Sequence, residues 1–227
     1  REVLTVVEET GVMFFVAFNR RFDPSFSALQ KSVRDGRIGK VEQVIITSRD
    51  PGPPPIGYIK VSGGLFRDMM IHDFDMARWL LGEEPVEVYA VASCLVDPEI
   101  GQAGDVDTAA VTLKTDSGAV CQITNSRRAT YGYDQRIEVF GSAGMLRAVN
   151  RTETSVELSN GDGVTSDKPM HFFLERYAAA YRIELDHFVD CLMQKTRPLA
   201  GGQDGLRSLL LADAAAESVR TGRPVAV

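Results

Sequence analysis

The sequence contains few of the residues that build metal centres, disulfide frameworks or membrane spans. Its three cysteines, Cys94, Cys121 and Cys191, are widely spaced and form no C-x-x-C pair, so neither a zinc knuckle nor a thioredoxin-like site is predicted. Reduced thiols in a cytoplasmic protein are expected instead. The three histidines are not spaced as a zinc pair. The longest apolar run, residues 12–18, is far shorter than the roughly 20 residues of a membrane-spanning helix.

The sequence also lacks an excess of basic residues. It has 25 Lys and Arg against 31 Asp and Glu, a net charge of −6, which argues against a nucleic-acid-binding surface. With 44% hydrophobic and 25% charged residues, the composition is that of an ordinary globular protein. A chain of 227 residues buries roughly 70% of its unfolded surface, so no metal or disulfide is needed for stability.

The first 18 residues have a pattern of their own. Residues 1–10 have helical spacing of valines and end at Gly11, and VMFFVAF over residues 12–18 predicts a fully buried strand. A helix that leads into such a strand is typical of a parallel α/β sheet, which a single unit cannot form alone. The chain also begins at Arg1 without a methionine. Residues 1–18 are therefore predicted to be the remnant of a larger domain, and residues 19–227 a second domain.

The remaining elements predict an α+β fold. Helices are expected over residues 24–37, 65–81, 172–195 and 205–221. Strands are expected over residues 41–49 and in five β-branched segments between 86 and 159. This order favours an open, mostly antiparallel sheet with helices on one face. Residues 86–93 are fairly apolar on both faces of the predicted strand, so the uncovered sheet face is predicted to form an oligomer interface.

Asp68 and His72 are the first candidates for chemistry. On a continuous helix, residues four apart share a face, so the carboxylate is expected beside the imidazole. A neighbouring carboxylate raises the pKa of a histidine and orients its ring, as general acid–base catalysis requires. The alternative is an ion pair on the helix surface.

The segment Asn19 to Asp23 follows the predicted strand, where ligands bind in α/β sheets. Asp23 and Pro24 are explained as the N-cap and first residue of a helix, but the adjacent Arg20 and Arg21 are not. One of the two arginines is therefore a candidate for polyol or carboxylate binding.

Weaker candidates complete the inventory. Tyr131 and Tyr133 could form the wall of a sugar site or be sheet-edge aromatics. His187 is assigned to a solvated helix face. Residues 115–118 and 141–144 are predicted to be hairpin turns. The glycines of residues 62–64 and 141–144 do not form the G-x-G-x-x-G loop that cradles a dinucleotide.

Taken together, several segments resemble the Gfo/Idh/MocA oxidoreductases, with the best match to the inositol dehydrogenases among them. The resemblance rests on FNRRFDP, SRDP, GGLFRDMMIHDFDMARWLLGE, YGYD, EVFGSAG, YAAAYRIELDHFVDCL and LADAAAESVRTGRPV, and it covers essentially the whole chain. It implies an enzyme that oxidises a cyclitol or sugar hydroxyl to a ketone with NAD or NADP.

The resemblance also implies a division of labour. In the family, an N-terminal Rossmann domain carries a glycine-rich loop and a catalytic lysine, and neither is present in this sequence. A C-terminal domain binds substrate and forms dimers or tetramers. The expectation is therefore a polyol-binding domain that depends on a Rossmann domain for its cofactor and is inactive alone, with no metal, membrane or nucleic-acid partner.

By the same resemblance, His72 corresponds to the acid–base histidine and Asp68 to its partner. The substrate-binding positions implied are Asn19, Arg20, Asp50, Met69 and Tyr133. Asp50 stands where the inositol dehydrogenases often have Asn, and Met69 where many members have Thr. A non-catalytic sugar-binding or scaffolding module, and a family member that acts on another sugar, remain the alternatives.

Overall fold

The computed structural model describes residues 1–227 and confirms the α+β class. The helices are α1 Glu2–Thr10, α2 Pro24–Arg34, α3 Ile56–Ser62, α4 Leu65–Asp68, α5 Ile71–Leu81, α6 Pro98–Gln102, α7 Phe173–Arg176, α8 Ala178–Gln194 and α9 Gly202–Thr221, with a 3₁₀ helix η1 at Asn19–Phe22. The strands are β1 Val41–Arg49, β2 Pro85–Ser93, β3 Thr108–Thr115, β4 Val120–Ser126, β5 Asp134–Gly141, β6 Gly144–Ala148, β7 Glu157–Asn160, β8 Gly163–Ser166 and β9 Val225–Ala226.

Seven of the strands form one open sheet in the order β6-β5-β1-β4-β3-β2-β9. The pair β1–β4 is parallel, and every other pair in this sheet is antiparallel. Helices α5 and α9 pack against each other and against one face of the sheet. The predicted open, mostly antiparallel sheet with helices on one face is therefore confirmed. None of the helices is long and apolar enough to cross a membrane.

Alternation along the strands positions the core. In β2, Val88 and Ala90 are buried beneath the helices, whereas Tyr89 and Val91 are 41% and 52% exposed on the other face. The outward residues of neighbouring strands are polar or apolar in mixture, and Phe140 of β5 is 48% exposed among them. This is the period of two that a half-covered sheet requires.

Two glycine-containing turns are hairpins, as predicted. Residues 115–118 join β3 to β4, and residues 141–144 join β5 to β6. Gly141 is obligatory because a Cβ there would lie 2.5 Å from the carbonyl oxygen of Ile38. The segment that was considered as a phosphate loop is thus a tight turn against backbone.

The prediction of a fully buried strand over residues 12–18 is wrong for this chain. These residues belong to no helix or strand, and only Phe18 is buried. A strand needs a neighbour to satisfy its backbone groups, but here the Val16 amide donates to the Ala200 carbonyl (3.1 Å) and Phe15 stacks on Phe188 of α8. Helix α1 forms as predicted and ends at Gly11, which is left-handed.

The predicted helix over residues 65–81 is divided into α4 and α5. The Met70 amide bonds to the carbonyl of Leu65, five residues earlier, and the Asp73 amide bonds to Met70, three residues earlier. This change of hydrogen-bond register rotates α5 relative to α4. The helix predicted over residues 172–195 is similarly interrupted at Tyr177, between α7 and α8. The hairpin formed by β7 and β8 was not predicted.

Candidate functional site

A cavity of about 290 Å³ lies where one end of the sheet meets η1, α4, α5 and α8. It is lined by all seven positions that the family resemblance implied for the site: Asn19, Arg20, Asp50, Asp68, Met69, His72 and Tyr133. It is also lined by four aromatic residues that were not proposed: Tyr58, Phe173, Tyr177 and Tyr181. The structure thus brings together residues that are up to 162 positions apart in the chain.

The sheet register explains why distant residues meet here. Arg49, at the end of β1, pairs with Ser126 at the end of β4 and with Asp134 at the start of β5. The residues just beyond these three ends, Asp50, Arg127 and Tyr133, therefore emerge at one edge of the sheet. Such an edge is the usual place for a ligand site.

Arg20 is anchored in the floor of the cavity. It is 4% exposed, forms an ion pair with Asp73 and donates to Ser48 Oγ (3.2 Å). Gln135 also donates to Ser48 (2.8 Å) and accepts from the Tyr177 hydroxyl (3.2 Å). Burial opposes the charge of Arg20, but the Asp73 carboxylate together with Tyr177 and Tyr133 outweighs it, so the pKa of Arg20 is raised and the residue stays cationic.

Arg21, the other candidate arginine, makes its contacts outside the cavity. Its guanidinium pairs with Asp75 (2.6 Å) and Asp204 (2.8 Å) and donates to the Leu199 carbonyl (2.7 Å). These contacts connect η1 to α5 and to the start of α9. Arg21 does not line the cavity.

Asp68 and His72 share the cavity but are not the hydrogen-bonded pair that the sequence predicted. Asp68 accepts from the Tyr58 hydroxyl (2.6 Å) and from Arg127 (3.0 Å), and His72 Nδ1 is buried without a partner. The register change between α4 and α5 separates the two side chains. Burial and the charge of Arg20 lower the pKa of His72 to about 3, opposite to the predicted direction.

Asp50 is the titratable group of the cavity with a pKa nearest neutrality. Burial raises its pKa to about 6, against the opposing charges of Arg127 and Arg20. The nearest cation, Arg127, is 3.9 Å from Asp50 Oδ2, beyond hydrogen-bond distance. The Asp50 carboxylate is therefore free to accept hydrogen bonds from a ligand.

The two tyrosines of the YGYD segment have different positions. Tyr133 is 7% exposed and faces the cavity, with its ring edge-to-face against Tyr177. Tyr131 lies on the open face of the sheet, where its hydroxyl bonds to Asp134 (2.5 Å). Tyr177 directly precedes α8 and Tyr181 lies four residues later in that helix, a spacing that is visible in the sequence.

The assignment of His187 to a solvated helix face is wrong. Its Nε2 accepts from the Leu199 amide (2.9 Å), and its ring packs 5.1 Å from that of Phe22. These contacts give His187 a structural role outside the cavity. All three cysteines are unpaired, and no group of three or more His, Cys, Asp and Glu side chains is arranged to hold a metal ion.

The glycine-containing start of α4 is not a binding site for dinucleotide phosphates. The glycine pair Gly63–Gly64 precedes α4, but Asp105 Oδ1 already accepts from the Leu65 amide (3.0 Å) at this helix start. A carboxylate in that position would repel a phosphate. The Leu65 amide at this helix start thus already has a hydrogen-bond partner within the chain.

The comparisons with known proteins give the class of protein to which this fold and cavity belong. Residues 26–147 match the GFO/IDH/MocA C-terminal domain. This chain belongs to the Gfo/Idh/MocA family.

Relatives of known name give a finer comparison. The chain is 54% identical over 228 residues to the inositol 2-dehydrogenase of Rhizobium meliloti (strain 1021), an alignment that covers 100% of this chain and 69% of that protein. It is 52% identical to the myo-inositol 2-dehydrogenase of Thermotoga maritima, covering 99% and 68%. The structure of scyllo-inositol dehydrogenase from Lactobacillus casei, with bound NAD(H) and scyllo-inositol, superimposes with a TM-score of 0.88 at 28% identity, covering 98% of this chain and 67% of that one.

Proposed function

We propose that this chain is the polyol-binding domain of an NAD-dependent dehydrogenase that oxidises a ring hydroxyl of myo-inositol to a ketone. One observation carries the proposal: an uncharged histidine with an unpartnered Nδ1 shares a cavity with two carboxylates, Asp50 and Asp68. Carboxylates accept hydrogen bonds from several hydroxyls at once, as binding of a polyol requires. Inositol dehydrogenases of 54% and 52% identity support the choice of substrate.

The proposed role of His72 follows from its environment. With a pKa of about 3, the imidazole is uncharged at neutral pH and a ring nitrogen has a lone pair for the hydroxyl proton, although so low a pKa makes it a weak base. Burial and Arg20 oppose the imidazolium, which makes it a strong acid that returns the proton to a ketone oxygen in the reverse reaction. Asp50, Asp68 and Tyr133 hold the remaining hydroxyls of the ring.

The nicotinamide cofactor supplies the acceptor for the hydride that leaves the same carbon. We propose that a Rossmann domain, to which residues 1–18 contribute, binds most of this cofactor. Helix α1 supports this proposal because none of its residues is buried, and Val3 and Val6 are 59% and 54% exposed. Residues 19–227 form the substrate-binding and oligomerisation domain.

The test is reduction of NAD by the protein with its cofactor-binding domain, using myo-inositol, scyllo-inositol and a panel of sugars. His72→Ala is expected to lower kcat by about 10²- to 10⁴-fold, the usual contribution of a general acid–base group. His171→Ala, which removes an exposed histidine, is the matched control and should leave turnover unchanged.

Two outcomes would contradict the proposal. If the protein binds NAD but turns over no polyol or sugar, the site is not that of a dehydrogenase. If calorimetry then shows polyol binding that His72→Ala leaves intact, a non-catalytic sugar-binding module is the better description.

We also propose a homodimer or homotetramer formed through the open face of the sheet. The exposed side chains of Tyr89, Val91 and Phe140 support this interface. Sedimentation of the protein should give a mass that is a multiple of the protomer mass, and the Val91→Lys variant should give a smaller mass. A monomer at micromolar concentration in the wild type would contradict the proposal.

Three unpaired thiols favour a reducing compartment, the cytoplasm.

A further inference from the structure

Arg127 is a fully buried arginine that no part of the proposed reaction uses. It follows β4, is 1% exposed and does not line the cavity. Its guanidinium is nevertheless surrounded by carboxylates: Asp68 at 3.0 Å, Asp50 at 3.9 Å and Asp105 at 4.0 Å. Burial of a charge is costly unless it is compensated, so this arrangement requires an explanation.

Two of these carboxylates face the cavity, and Arg127 acts on each differently. Asp68 is fixed from both sides, because Oδ2 accepts from Arg127 and Oδ1 accepts from the Tyr58 hydroxyl. Asp50 is too far from Arg127 for a hydrogen bond and has no other side-chain partner, so Arg127 affects its charge without occupying its oxygens.

The third carboxylate connects Arg127 to the start of α4. Asp105 Oδ1 accepts from the Leu65 amide, and its Oδ2 is buried without a hydrogen bond on the side of Arg127. Helix α4 is therefore held at its first residue by Asp105 and at its last residue, Asp68, by Arg127. Arg127 thus contacts Asp68 directly at one end of α4 and lies 4.0 Å from Asp105, which holds the other end.

We propose that Arg127 is a positioning residue of the polyol site: it orients the Asp68 carboxylate and places a positive charge beside Asp50, so that both carboxylates can accept hydrogen bonds from polyol hydroxyls. The inference rests on the proposed function, because it assigns a role within the same site. It adds a residue outside the cavity to those that determine polyol affinity.

The charges around Asp50 define the expected pH dependence. Arg127 and Arg20 favour its ionised form, whereas burial, Asp68 and Asp73 oppose it. Loss of Arg127 leaves Arg20 as the only cation in this set, and Arg20 is already paired with Asp73. The pKa of Asp50 is therefore expected to rise further above about 6 when Arg127 is removed.

The test compares Arg127→Met with wild type in the NAD-coupled polyol assay between pH 5 and 9, with polyol binding measured by calorimetry. Arg127→Met is expected to raise the polyol KM and Kd at least tenfold at pH 7. It should also move the acid limb of kcat/KM upwards by about one pH unit, the usual effect of an opposite charge at 4–6 Å. Arg67→Met is the matched control, because Arg67 precedes Asp68 but is exposed and pairs with Asp213.

An Arg127→Met protein that is folded by circular dichroism, with the acid limb and polyol Kd of wild type, would overturn the proposal. If this variant does not fold, Arg127→Lys tests the proposal instead. Lysine keeps the positive charge but not the guanidinium, whose Nη1 and Nη2 face Asp50 and Asp68. The acid limb of kcat/KM should therefore stay where it is, while the polyol KM rises at least fivefold. Wild-type KM in Arg127→Lys would then overturn the positioning role. Failure of the proposed function is distinguishable, because in that case wild type itself turns over no polyol.

Discussion

The ion pair between Asp23 and Arg176 is expected to stabilise the segment that carries Arg20. Both side chains are 1% exposed, and Asp23 Oδ2 accepts from Arg176 Nη1 at 2.5 Å. Asp23 Oδ1 also caps α2 by accepting from the amides of Ser25 and Phe26, both at 3.1 Å. Asp23 directly follows η1, so its contacts hold η1 against α7.

Substitution of Asp23 separates the two contributions. Asp23→Asn keeps a capping oxygen but leaves the buried Arg176 without a counter-charge, which costs about 3–5 kcal/mol when one partner of such a pair is removed. Asp23→Ala also removes the cap, worth about 1 kcal/mol more. The double variant Asp23→Asn/Arg176→Met removes both charges and should recover most of the loss, because methionine can pack against Phe26 and Tyr177 where the guanidinium now lies.

The assay is equilibrium unfolding in urea followed by circular dichroism, with free energies extrapolated to water. Lys31→Met, which removes one partner of the exposed pair with Asp35, is the control and should leave the free energy of unfolding nearly unchanged. A loss below about 1 kcal/mol in Asp23→Asn, or a double variant no more stable than Asp23→Asn, would refute the reasoning.

Two further predictions use other parts of the structure. Tyr133→Phe should weaken polyol binding severalfold because it removes a hydroxyl from the cavity, whereas Tyr131→Phe should leave the calorimetric Kd unchanged; equal effects would contradict the assignment of Tyr133 to the site. Burial of Glu184 raises its pKa from 4.5 to about 7, so the folded state keeps a proton that the unfolded state releases between these values. The free energy of unfolding should therefore fall by on the order of 1–2 kcal/mol as pH rises through this range. Urea titrations at pH 5 and pH 8 measure this fall, and Glu184→Gln should abolish it. If the variant shows the same fall, another group is responsible for the pH dependence.

Agreement between sequence and structure is best where a single element suffices. The β-branched composition of residues 86–93 predicts a strand, and β2 forms there over Pro85–Ser93. Asp23 and Pro24 predict the start of α2, and the Asp23 side chain does accept from the first amides of the helix. Such features depend on neighbouring residues alone, which the sequence displays directly.

Agreement fails where a neighbour in space decides. The apolar run over residues 12–18 has the composition of a strand, but no strand in this chain lies beside it, and Phe15 packs on α8 instead. The spacing of Asp68 and His72 predicts a shared helix face, but α4 ends at Asp68, and the carboxylate turns to Tyr58 and Arg127.

The sequence by itself determined the classes and order of most elements, the hairpin turns and, through its family motifs, seven of the residues that line the cavity, because periodicity, caps and motifs are local properties of the chain. Only the tertiary structure decided how these residues are charged and paired. The parallel register of β1 and β4 brings Asp50 and Arg127 to one sheet edge, and burial beside Arg20 keeps His72 neutral. The pKa and partner of a side chain depend on the charges and solvent around it, and residues far apart in the sequence supply these.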